Sequence, residues 1–468
     1  MMEGLKPYPK MKDSGVPWCP RIPAHWDLIP NRAFLTQRKV LVGEKHTDYS
    51  LLSLTKQGVI VRDISDNKGK FSADMGTSQE VRKGNLVMCL FDVPETPRTI
   101  GLSRHDGMIT GAYTVFEVRE DDVAMWLEAF YVAMDDRKLL SPLYSGLRHT
   151  IPKTRFLSTH TPLPSADERG GIVRFLTHAD RRIRRLIRSK QILITLLEEQ
   201  KQAIIHRAVT RGLDPKVRLK PSGISWVGEV PEHWDVMRCR HLFREVDARS
   251  PDGSELHLSM SQRLGLVPSD LVDNRTLVSE SYAGGKLCQI GDLVLNRLKA
   301  HLGVFSVARH AGVISPDYTV LRPLDPVGVE YFEKVLRSPA CRRELQIRAK
   351  GIVEGFWRLY TDDFYDIRLP APPAAERLAI IDQFTASTNS ITKSVIAAQR
   401  EIDLLKELRT RLISDVVTGK LDVREVAARL PADDLATDDA FDESEAVADS
   451  EEDDDLVAES SAEDGDGG

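Results

Sequence analysis

The chain has 468 residues, 41% of them hydrophobic and 29% charged, enough for about three domain-sized units with substantial cores. No apolar run approaches the ~20 residues of a membrane span and the amino terminus carries no signal-like apolar segment, so a cytoplasmic protein without membrane contact is expected. The formal charge of −6 conceals two parts: 17 Asp and Glu lie between Asp433 and Asp466 with no Lys or Arg, and setting them aside leaves a body of +11.

That surplus suits a phosphate-bearing partner. The acidic stretch, assigned to residues 430–468 and nearly free of aromatics, has the composition of a disordered tail. The five cysteines are odd in number and scattered, with no C-x-x-C pair, which argues against a disulfide framework or a zinc site and predicts buried free thiols.

In chain order, residues 1–26 form a Pro- and Trp-rich connector containing Ser14-Gly15-Val16-Pro17-Trp18 and Ile22-Pro23-Ala24-His25-Trp26-Asp27. Both segments return 208 residues later, as Ser222-Gly223-Ile224-Ser225-Trp226 and Val230-Pro231-Glu232-His233-Trp234-Asp235, in a second connector at 215–234. His25 and His233 have no supporting carboxylate at short spacing, so the strip reads as packing that fixes where the next domain begins.

Residues 27–161 form a first α+β unit, with strands expected at Ser50–Leu54, Val59–Val61, Asn85–Phe91 and Tyr113–Val118 and a helix at Ala124–Met134. Residues 235–369 repeat the order, with strands near Leu256–Met260, Asp292–Asn296, Val304–Val307 and Tyr318–Arg322, then helices at Val329–Leu336 and Pro339–Ala349. Arg104-His105-Asp106-Gly107-Met108-Ile109 matches Arg309-His310-Ala311-Gly312-Val313-Ile314 at an offset of 205.

After each unit comes a long helical stretch, at 162–214 and at 370–422. The first has apolar seam candidates Ile172, Leu176, Ala179, Ile183, Leu186, Leu193, Leu197 and Ile204. Ser165 and Glu168 read as a capping box and Gly212 as the stop, giving a rod of roughly 65 Å. The second has Ile381, Phe384, Thr388, Ile391, Val395, Ala398, Ile402, Leu405 and Leu412, and stops at Gly419. Equal lengths and apolar seams suit an antiparallel coiled coil with pseudo-two-fold internal symmetry; the alternative is that each helix packs on its own domain.

The plan is therefore connector, α+β head, long helix, twice over. Catalytic signatures do not accompany it. There is no G-x-x-x-x-G-K-[ST] loop, no G-x-G-x-x-G, no Asn/Asp-Pro-Pro-aromatic motif and no grouped Ser, His and Asp. Glu199-Gln200-Lys201 has nuclease-like spacing but lies on the proposed rod, where a solvated face explains it.

The duplicated Ser-Gly…Trp…Ile/Val-Pro-x-His-Trp motifs, the run from Pro370 into Glu376-Arg377, the paired long helices and Ser315-Pro316-Asp317-Tyr318-Thr319-Val320 together resemble the DNA specificity subunit of type I restriction-modification systems, over almost everything up to Arg429. The resemblance implies two target-recognition domains, each reading one half of a split, asymmetric site on double-stranded DNA, with the helices setting the gap. It implies a non-catalytic chain that binds two methyltransferase (modification) subunits and restriction/motor subunits, with S-adenosylmethionine, ATP and Mg held by those partners. The acidic tail is outside the family pattern.

Base readout needs Arg, Lys, Asn, Gln or His on loops. The candidates are Arg98, Arg104, Arg148, His149, Lys153 and Arg155 in the first head, and Asn296, Arg297, Lys299, His301, Arg309, Tyr318, Trp357 and Arg358 in the second. Arg104 and Arg309, shared by both heads, suit a common backbone or structural task. The basic run Arg181, Arg182, Arg184, Arg185, Arg188 and Lys190 has a single basic counterpart, Lys393, on the second helix. Two other classes of function remain open at this stage: a coiled-coil scaffold with two protein-binding heads, and an enzyme with an unrecognised site in a head.

Overall fold

The computed structural model describes residues 5–62, 75–261, 264–272, 282–351 and 357–431, so the acidic tail expected beyond 430 lies almost wholly outside the described residues. The chain divides into two compact units, one built from 1–189 with 401–468 and the other from 190–400. Each holds one head, one connector and part of both long helices.

The heads repeat one topology. In the first, β1 (Leu35–Arg38), β2 (Leu86–Met88), β3 (Ile100–Leu102) and β4 (Thr114–Val118) form an antiparallel sheet in the order β1-β4-β2-β3. In the second, β5 (Phe243–Val246), β6 (Leu293–Asn296), β7 (Phe305–Val307) and β8 (Tyr318–Pro323) take the order β5-β8-β6-β7. Sequence periodicity is weak here because both faces of the sheet are covered, so the central strands read as continuous apolar runs. Leu86, Met88 and Phe116 face the helix Asp121–Asp136, while Val87 and Val115 join Leu52, Val59, Val81 and Ile109 in a second core on the other face. The second head splits Leu293, Leu295 and Leu321 from Val294 and Val320 in the same way. The expected strands and helices are present; β1 and β5, short and partly polar, and β3, three residues around Gly101, had no signal of their own.

The five cysteines are buried and free, as expected, and burial pushes the Cys19 and Cys288 thiols up to about 11. No helix among the described residues is long and apolar enough to cross a membrane.

The long helices run Ala166–Arg211 and Ala374–Val417 and pack on one another antiparallel. In the first unit Ile172, Phe175, Leu176 and Ala179 share a core with Leu412, Val416 and Val417, and Arg409 pairs with Asp180. In the second, Ile205, Ala208 and Val209 share a core with Ile380 and Phe384. The seam departs from strict heptad spacing. Leu186 and Leu193 are 45% and 41% exposed, and the buried face resumes one residue on, at Ile205 rather than Ile204. The second helix keeps its expected spacing, with Phe384, Thr388, Ile391, Ala398, Ile402 and Leu412 buried, so the departure belongs to the first helix alone.

The connectors lock these helices at their ends. Met11–Asp13 pairs with Arg21–Pro23, and Leu219–Pro221 with Glu229–Pro231, in matching register. His25 Nε2 lies 2.7 Å from Glu168 Oε2 and His233 Nε2 lies 2.7 Å from Glu376 Oε2, so the carboxylate that short spacing did not supply comes from the start of a long helix, 143 residues on in both copies. Glu168 is not the reciprocal half of a capping box: its carboxylate takes His25 and the Tyr8 hydroxyl, 2.6 Å away, and burial together with that acceptor pushes the Tyr8 phenol well above its ordinary value. Gly419 and Gly212, at φ +70° and +71°, end the helices against Pro23 with Trp26 and against Pro231 with Trp234.

At Gly419 an added Cβ would meet Pro23 Cδ at 2.2 Å in a left-handed backbone, whereas at helical Gly170 it would meet nothing. Gly419→Ala should cost about 2–4 kcal/mol and Gly170→Ala should stabilise by up to about 1 kcal/mol, read by denaturant unfolding. Equal effects would contradict the locked helix end.

Candidate nucleic-acid interface

At one end of each head, a hairpin closes over the loop that follows the sheet's third strand in order. In the first head Ser145 and Thr150 exchange backbone hydrogen bonds of 2.9 and 3.0 Å, and the Ile151 amide donates to Leu90 O at 2.8 Å. In the second, Lys350 and Arg358 exchange bonds of 2.9 and 2.8 Å, and the Leu359 amide donates to Arg297 O at 3.0 Å. Lys350 stands 205 residues after Ser145 and Arg358 stands 208 after Thr150, so the second tip is three residues longer. The three extra residues fall between Lys350 and Arg358, a stretch of which 352–356 lies outside the described residues.

The side chains at the two tips differ. In the first, Arg148 reaches Asp92 through Nη2 and, at 3.1 Å, through Nε, with its guanidinium 5.5 Å from the Phe91 ring centroid. Phe91 in turn stacks on Tyr113 at 6.1 Å. The hydrogen bond from Arg148 holds the Asp92 carboxyl below its ordinary value. His149 and Asp92 have φ of +42° and +47°, and Leu147 projects into solvent.

In the second tip one carboxylate gathers two arginines. Arg297 Nε donates to Asp317 O at 2.8 Å, and Arg297 and Arg358 place Nη2 at 3.9 and 3.7 Å from Asp317 Oδ1. Asn296 sits opposite Tyr318 in the β6–β8 register, its Oδ1 accepting from the Leu298 and Lys299 amides at 3.0 and 3.3 Å. Burial raises the Tyr318 phenol, against the opposing hydrogen bond with Asn296. Trp357 is 41% exposed beside Arg358. His301 lies on the turn Ala300–Leu302, and its side chain is outside the described residues.

Of the candidates read from sequence, the structure brings Arg148 with His149 together in one head, and Asn296, Arg297, Tyr318, Trp357 and Arg358 together in the other. Lys299 stands on the loop after β6, exposed. Others lie elsewhere. Arg98 is only 12% exposed and is matched by Asp136 at 2.6 Å and Asp135 at 3.6 Å, at the end of the helix Asp121–Asp136. Arg104 lies near Glu128, whose carboxyl burial pushes up against the opposing Leu102 amide and the Arg104 charge; Arg309 has the corresponding place beside Lys334 in the second head. Arg155 donates to Pro142 O at 2.8 Å, one helix away from the tip, and Lys153 begins that helix, exposed. Phe91, Asp92, Tyr113, Leu147 and Asp317 were not among the DNA-contact candidates read from sequence. The change of offset from 205 to 208 was the signal that could have found the hairpin carrying Leu147. Among the described residues, no group of His, Cys, Asp and Glu is arranged to hold a metal ion.

An α+β frame used twice, with a pair of long antiparallel helices, defines the architectural class. No family model matches the chain. Among solved structures, a chain from work on the structural basis of complex assembly and conformational transition of the type I R-M system is 14% identical, with a TM-score of 0.58 over 85% of this chain and 98% of that one. The two share a fold. The HsdS subunit from Thermoanaerobacter tengcongensis (15% identity, TM-score 0.42, 85% and 98% covered) and the type I restriction-modification S subunit from M. genitalium (11%, 0.34, 88% and 98%) match more distantly and add nothing to that likeness.

The Asp92–Arg148 brace generates a prediction. Because the folded carboxyl is depressed, the brace contributes at neutral pH and is lost only as pH falls through the depressed value. Asn tolerates positive φ, so Asp92→Asn removes the charge and leaves the backbone choice alone. Faster hydrogen exchange at the Asp92 and Ile151 amides in that variant is expected; unchanged exchange would show that the tip is held by its backbone alone.

Proposed function

We propose that this chain is the DNA specificity subunit of a type I restriction-modification assembly. Each head binds one half of a split, asymmetric site in double-stranded DNA, and the chain directs adenine methylation and cleavage by two methyltransferase subunits and by restriction/motor subunits docked on it. S-adenosylmethionine, ATP and Mg belong to those partners, and the chain itself catalyses nothing. It works in the cytoplasm, where its DNA is.

One observation supports this reading above the others. The two heads keep the same sheet and the same hairpin frame and differ in the side chains gathered there: the first has Arg148 and His149 on its hairpin, the second has Trp357 and Arg358 on the hairpin and Asn296 and Arg297 on the loop that it closes over. A common frame with different polar tips suits readout of two different sequences by the same docking geometry. A body of positive charge around it suits the phosphates, while the pinned arginines limit the entropy lost on binding.

The test is methylation sequencing of DNA from cells expressing this chain with its neighbouring methyltransferase, against a control lacking the chain. A split motif with modified adenine on each strand, present only with the chain, is the expected result. An active methyltransferase with no chain-dependent motif would overturn the specificity reading and leave the coiled-coil scaffold with two protein-binding heads.

A further inference from the structure

We propose that Leu147 is a wedge that enters a base step of the DNA, opening the stack inside the half-site bound by the first head. This rests on the specificity reading above and names one residue's part in it.

Leu147 is 101% exposed, so it touches none of the rest of the protein and gains nothing from the hydrophobic effect on folding. Single exposed leucines are common, but this one is mounted in an unusual way. Tips of tight hairpins ordinarily take Gly, Asn, Asp or Ser. Here the leucine stands between Gly146, at φ +70°, and Arg148, with His149 at φ +42° completing the turn. Beneath it Asp92 is also left-handed. Only three non-glycine residues among those described have positive φ, and two of them, Asp92 and His149, are in this tip. L residues hold that conformation where the surroundings impose it, and such sites gather where function needs a fixed shape.

The surroundings do impose it. The reciprocal Ser145–Thr150 bonds close the hairpin, and the Asp92 amide donates to Arg148 O at 2.9 Å. The Arg148 side chain is drawn down onto Asp92 and the face of Phe91. The polar members of the tip are thus tied to the head while the apolar one is thrust outward, the reverse of what solubility would select. Proteins that kink DNA use this arrangement: a stiffly held apolar side chain pushed between base pairs, with cations beside it to grip the flanking phosphates. Here Arg148 is committed to bracing the mount through Asp92 and Phe91. The cost of unstacking depends on the step opened, so a wedge adds sequence preference without a hydrogen bond to any base.

The experiment uses duplexes bearing the motif found by methylation mapping, with 2-aminopurine placed singly at each position of both half-sites. These are titrated with the full chain and with Leu147→Ala and Leu147→Met. The wild-type chain should raise fluorescence at one step of one half-site. Leu147→Ala should abolish the rise and weaken binding about tenfold with unchanged salt dependence, since no phosphate contact is lost, and Leu147→Met should restore both. Specific binding with no rise at any position, or a rise that survives Leu147→Ala, overturns the wedge while leaving the specificity reading intact. If the chain does not prefer the duplex over competitor DNA, the specificity reading fails and the wedge with it.

Discussion

The meeting of three parts at each connector is the constraint on which the structure depends. In one unit, the strip containing His25 and Trp26 holds the start of the first long helix through Glu168 and the end of the second through Gly419. In the other, His233 and Trp234 hold the start of the second helix through Glu376 and the end of the first through Gly212. A connector that binds the beginning of one helix and the end of the other admits only an antiparallel pair. Burial reinforces this: Trp26 meets Trp126 edge-on at 5.4 Å and Trp234 meets Tyr331 edge-on at 6.2 Å, so each connector is also packed on its own head.

The repeat is continuous in one unit and assembled in the other. Asp214 runs directly into Pro215 and the second connector, whereas Asp422 reaches the first connector by pairing with Lys6, its amide donating to Lys6 O at 2.7 Å. In the segment that follows, Val423 and Ala427 are buried against the same core, and Arg424 closes over the Tyr8 ring at 5.2 Å while pairing with Asp422. Partial burial works to raise the Asp422 carboxyl, and Arg424 outweighs it, so the group sits below its ordinary value.

Much of this was legible in the sequence because the same packing problem is solved twice. The 208-residue offset exposed connectors and helices together, and the helix ends followed from Gly212 and Gly419. What was not legible depends on contacts between distant residues. The His–Glu pairs span 143 positions and have no local spacing to betray them. The first seam was misplaced at Leu186 and Leu193, which are exposed although the same spacing is buried along the second helix, so spacing alone does not say where a helix meets its partner. At the heads, residue type identified cations without saying which were enclosed: Arg98 and Arg148 both pair with aspartate, yet the Arg98 side chain is 12% exposed and that of Arg148 70%. The residues that shape the tips, Asp92 and Asp317, are acidic, and a search for DNA contacts passes over them.

Within each unit the same frame of connector, sheet and helix ends recurs, and the hairpin beside the sheet carries different side chains in the two copies. The specificity reading is tested most directly by selection of duplexes from a randomised pool by the wild-type chain and by Arg148→Ala and Arg358→Ala. The account predicts two conserved half-motifs at a fixed separation, with each substitution relaxing one half-motif and sparing the other. Enrichment of no motif, or the loss of both halves from either substitution, would contradict it.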